Sequence, residues 1–184
     1  LCSHHDIQCF FNFVLGYPGE TCEDLDATVQ LLKKLDDIKD TKGNSTVAKY
    51  MRFSVFTPWP GTPVYEKAIS LNFQPPESFV DWGKYRYCDI AQLGIFSKEI
   101  EQYMQSIFYI DYFLHFFPNI PEINHEDRTL AAWENFLRRY AAMFENKARK
   151  DWDTLNFSDG WEWSYFETKI RKELSGNIGL PFPT

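Results

Sequence analysis

Gly16-Tyr17-Pro18-Gly19-Glu20-Thr21 is the stretch of this chain whose residue types and spacing are best suited to chemistry. It ends an apolar run, Phe10-Phe11-Asn12-Phe13-Val14-Leu15, and precedes an amphipathic one, the pattern of a buried strand feeding a helix through a tight turn. In parallel α/β sheets and barrels, ligands gather at the carboxyl ends of strands, where backbone N–H groups and the positive end of the following helix converge. Gly16 and Gly19 permit backbone conformations that a β-carbon forbids, and Pro18 fixes one φ between them, so the corner is expected to be rigid. The chemistry expected there is the binding of a small molecule.

Other residues of suitable type are weighed against plainer roles. Asp111 and His115 stand four apart in a helical pattern beside Phe108 and Tyr112, a spacing that lets a carboxylate orient an imidazole as a general base. The plainer expectation is a surface ion pair or a buried tertiary contact. Cys2, His4, His5 and Cys9 are metal-ligand types, but their spacing matches no structural zinc pattern, and a solvated loop before a strand is expected. Trp59 and Trp82 are candidates to stack on a cofactor or substrate, with core packing as the alternative. Arg52 would meet a carboxylate if its strand position faces inward, which alternation alone does not settle. Cys22 has no base beside it in sequence and is expected to be an inert thiol.

The elements that must position these residues follow from local signals. Thr21 and Asp24 form a Thr-x-x-Asp capping box with Glu23 in the first turn, so a helix starts at about Cys22 and carries Leu25, Val29, Leu32 and Leu35 on one stripe. A polar loop with Gly43-Asn44 leads to a second strand, Tyr50-Met51-Arg52-Phe53-Ser54-Val55-Phe56-Thr57, which Pro58-Trp59-Pro60-Gly61-Thr62-Pro63 ends abruptly. Pro63 then opens a helix over Val64–Ile69, closed by Asn72-Phe73-Gln74-Pro75-Pro76. The order strand, helix, strand, helix predicts parallel strands joined by right-handed crossovers. From about residue 90 the pattern turns helical. Ser97 caps a helix with Ile100, Tyr103, Ile107, Ile110, Leu114 and Phe117 in its core before Pro118. A second helix from about Asp127 carries Leu130, Trp133, Leu137, Tyr140 and Phe144. A third groups Trp163, Phe166, Ile170 and Leu174.

Three ordered segments carry a family likeness: Phe13-Val14-Leu15-Gly16-Tyr17-Pro18-Gly19-Glu20-Thr21-Cys22-Glu23-Asp24, Phe56-Thr57-Pro58-Trp59-Pro60-Gly61-Thr62-Pro63-Val64-Tyr65-Glu66, and Pro75-Pro76-Glu77-Ser78-Phe79-Val80-Asp81-Trp82. Together they resemble the later half of a radical S-adenosylmethionine barrel, closest to members with a cobalamin-binding domain. The resemblance implies an incomplete, partial TIM-type parallel barrel over residues 1–88 and a helical carboxyl-terminal domain over residues 89–184. It implies that a four-iron four-sulfur cluster cleaves S-adenosylmethionine to a 5′-deoxyadenosyl radical, with cobalamin as a further cofactor in methylase or rearrangement members. The strand ending at Gly16 would be the fifth of the barrel and the one ending at Pro58 the sixth. Val14, Leu15 and Gly16 would then contact the adenine moiety and Thr57 and Pro58 would line the same pocket. The implied cofactor-binding set is completed by Tyr17, Pro18, Gly19, Glu20 and Trp59. Other branches have one residue more between the positions of Gly16 and Gly19-Glu20, so Glu20 is read here as fixing the loop.

The family holds its cluster with a Cys-x-x-x-Cys-x-x-Cys loop, a spacing absent among Cys2, Cys9, Cys22 and Cys88. The chain starts with Leu, and its first strand begins almost at once with no upstream neighbour to pair with. Residues 1–184 are therefore expected to be the carboxyl-terminal part of a longer protein, partnered by its upstream remainder and inactive alone. A net charge of −7 and a pI near 5.1 argue against a nucleic-acid surface. Scattered cysteines, no signal peptide and no apolar run of spanning length point to the cytoplasm and away from a membrane. Aromatic residues make up 18% of the chain, enough to demand a substantial core. Two alternatives to the radical enzyme are a non-catalytic α/β module that cradles a phosphate at Gly16–Thr21 and an interaction domain that docks through a sheet edge. The substrate is not legible in the residues.

Overall fold

The computed structural model describes residues 1–47, 53–83, 91–111, 114–115, 138, 142 and 144–160. Tyr50, Met51, Arg52, Cys88, Tyr112, Phe117, the stripe Leu130–Tyr140 of the second helix, the whole third helix and the tail lie outside them. The chain forms two compact units, Leu1–Met104 and Gln105–Thr184.

The first unit is organised by a parallel pair of strands. β1 (Phe13–Leu15) pairs with β2 (Phe53–Val55) in the register Phe13↔Phe53, Val14↔Ser54, Leu15↔Val55. A bond from Phe56 N–H to the Leu15 carbonyl, 2.7 Å, carries the pairing beyond the strand ends. The side chains alternate as a pleated pair requires: Leu15, Phe53 and Val55 are buried, whereas Val14 is exposed. The Phe13 and Phe53 rings meet across the pair at 5.9 Å.

α1 (Cys22–Asp36) begins as its local signals demand. Thr21 accepts from Asp24 N–H while the Asp24 carboxylate accepts from Thr21 N–H, the reciprocal capping box. Leu25, Val29 and Leu32 of its stripe are fully buried, and Leu35 near its end is half-buried. The loop to β2 turns at Asp40, whose carboxylate accepts from the N–H groups of Lys42 and Asn44. Asp6 ties this loop to the start of the chain through the Thr41 hydroxyl at 2.6 Å.

α2 (Pro63–Ser70) is capped by Thr62, which accepts from Tyr65 N–H, with Pro63 in the first helical position. It ends in a left-handed residue, Asn72 at φ 68°, after which Phe73 N–H returns to the Ala68 carbonyl and the Phe73 ring is buried. A single turn, α3 (Phe79–Trp82), follows under a Ser78 cap. α4 (Lys98–Asp111) starts at Ser97, whose hydroxyl accepts from Ile100 N–H, and buries Tyr103, Met104, Ile107 and Ile110. The boundary between the two units falls inside it.

In the second unit, helix 144–154 buries Ala148, Asp151 and Trp152, and Phe157 packs edge-on to Trp152 at 6.2 Å. Lys147 joins Asp151 and Asp159, pinning the helix to the turn after it. Among the described residues no helix is long and apolar enough to cross a membrane.

Leu25 is fully buried on the α1 stripe, so Leu25→Ala is expected to lower the unfolding free energy by about 2–5 kcal/mol, measured as a fall in the denaturant midpoint.

Candidate functional site

The parallel register fixes where the two Pro-Gly corners emerge. β1 and β2 run the same way and end level with each other, so the Gly16–Thr21 and Pro58–Pro63 turns leave from the same edge of the sheet. Tyr17 and Phe56 meet there with ring centroids 5.5 Å apart, and Lys67 of α2 places its ammonium 5.1 Å from the centre of the Tyr17 ring. The first corner therefore touches the end of β2 and α2 through its Tyr17 ring.

The first corner is closed on itself by Glu20. Its Oε2 accepts the Gly16 N–H at 2.6 Å, while Glu20 N–H donates to the Tyr17 carbonyl at 2.8 Å. Glu20 thus fixes the loop, as the residue pattern led us to expect. Burial pushes its carboxyl above the ordinary glutamate range, and the N–H groups of Gly16 and Tyr17 partly offset that rise. Gly16 holds φ +85°, and a β-carbon added there would meet the Leu93 Cδ1 at 3.2 Å and the Phe96 ring at 3.8 Å. The space beside Gly16 is filled by the chain's own side chains.

This arrangement is poorly suited to an anion. The N–H groups of Gly16 and Thr21 are occupied by the carboxylates of Glu20 and Asp24, and Glu23 adds a third acidic group at the start of α1. A phosphate would face carboxylates at a helix end where it needs free donors.

The ten residues singled out from the sequence fall into three groups. Leu15, Gly16, Pro18 and Pro58 are buried and act as scaffold; Glu20 and Thr57 are half-buried; Val14, Tyr17, Gly19 and Trp59 are exposed. The exposed group offers apolar and aromatic surface of the kind an adenosyl moiety fits, whereas the Gly16 side, filled by Leu93, does not. A four-iron four-sulfur cluster does not fit the thiols described here. Cys2, Cys9 and Cys22 lack the needed spacing, and among the described residues no group of three His, Cys, Asp or Glu side chains could hold a metal. Burial and the carboxylates of Glu99, Glu23 and Asp26 push the Cys22 thiol up and keep it protonated.

Trp59 and Trp82, considered separately in the sequence, stack on each other with centroids 5.3 Å apart and planes 29° apart. Asp111 and His115 do come together, with Nδ1 2.9 Å from the carboxylate, and the imidazole lies edge-on to Trp152 at 5.3 Å. Both side chains are largely buried, so the pair is a tertiary contact within the second unit. One contact had no local signal. The Tyr103 hydroxyl donates to Asp26 at 2.6 Å, joining residues 77 apart and tying α4 to α1 within the first unit. Burial pushes the Tyr103 phenol far up, and Asp26 adds to that shift.

Two changes test the corner. Gly16→Ala is expected to cost about 1–2 kcal/mol from backbone strain alone, with a further loss from displaced Leu93, read as a fall in melting temperature. Glu20→Gln keeps an acceptor for Gly16 N–H and removes the buried charge. Because the folded state raises the Glu20 pKa, the group favours folding below its unfolded pKa, and that advantage is lost as pH rises through its folded value. Stability relative to Glu20→Gln is therefore expected to decline as pH climbs from the ordinary glutamate range and then level off, measured by denaturation across pH.

No family model and no solved structure matches the chain. It is similar to a protein of Pyrococcus horikoshii named an uncharacterized methyltransferase, with 32% identity over 104 residues. That similarity covers 56% of this chain and 20% of the relative, so the chain spans about a fifth of the length of the protein it matches.

Proposed function

We propose that the two Pro-Gly corners form one wall of an S-adenosylmethionine site in a methyl-transfer enzyme of the radical type, with the barrel of that family completed by βα units outside this chain. The observation that carries the reading is the level, parallel pairing of β1 and β2, which sets Tyr17 against Phe56 on the carboxyl edge where such barrels bind ligands. The similarity to a protein named a methyltransferase supports a methyl-transfer or S-adenosylmethionine-related role.

In this reading each residue has a physical task. Val14, Tyr17 and Trp59 supply exposed apolar surface against the adenosyl group, and Gly19 lets the backbone approach it. Leu15, Pro18 and Pro58 hold that surface from beneath, and the Glu20 carboxylate holds Gly16 so that the corner does not reorganise on binding. Thr57, half-buried at the end of β2, offers a hydroxyl for hydrogen bonding. S-adenosylmethionine, when bound, supplies an activated methyl group. In this reading the iron–sulfur cluster and cobalamin are held elsewhere in the polypeptide, since no group of three His, Cys, Asp or Glu among the described residues could hold a metal.

In the polypeptide with its barrel complete, S-adenosylhomocysteine is expected to bind in isothermal titration calorimetry, and Tyr17→Ala is expected to weaken it about tenfold, the loss of roughly 1.4 kcal/mol of ring contact. Undetectable binding, or binding indifferent to Tyr17→Ala with the fold intact by circular dichroism, sinks the reading.

A further inference from the structure

We draw no further inference here: the strongest candidate, the apolar surface patch that Phe79 and Val80 leave exposed on the single turn α3, carries nothing, because nothing in the structure shows what covers it.

Discussion

The bond from Gly16 N–H to the Glu20 carboxylate, 2.6 Å long and spanning four residues, is the constraint on which the rest of the first unit depends. A strand that ends in a left-handed glycine has a choice of exit directions, and this bond selects one. The selected direction sets Thr21 where it caps α1 and sets Tyr17 where it meets Phe56. The half-buried carboxylate is held at an energetic cost, visible in its raised pKa, which backbone donors only partly offset. The N–H groups of Gly16, Glu20 and Thr21 are satisfied within the corner and its helix cap, which removes those donors from service as an anion cradle.

The parallel pairing of β1 and β2 contributes the second half of the arrangement. In a parallel pair both strands end on the same edge, so whatever follows each strand is brought together without a further device. Here that means a cation over an aromatic ring, Lys67 over Tyr17, and a row of rings from Phe73 through Trp82 to Trp59. The buried end of the row anchors it, and Trp59 at the other end is exposed. Aromatic content of 18% is thus divided between core and edge.

The second unit answers a different demand. Asp111 and His115 have the spacing of an acid–base pair, but the imidazole lies edge-on to Trp152 and the carboxylate is almost fully covered. A buried polar pair of this sort satisfies itself and fixes how a helix packs. The same is true of Lys147, which spends its charge on Asp151 and Asp159 at a helix end.

Local signals in the sequence determined the helix starts at Cys22, Pro63 and Lys98, since each rests on a cap within three residues. The alternation along β1 and β2 follows from the pleat's period of two residues, but packing decided that Leu15 and Val55 are the buried set. The loop-fixing reading of Glu20 came from the family comparison, and the structure supplies its partner, Gly16, four residues away. Tertiary structure alone decided which side chains fill the space beside Gly16, that Tyr103 bonds to Asp26, and that Trp59 and Trp82 form one stack. Those contacts join residues far apart in the chain, and no local pattern encodes them. They arise only when packing closes the fold and burial makes each pairing better than water.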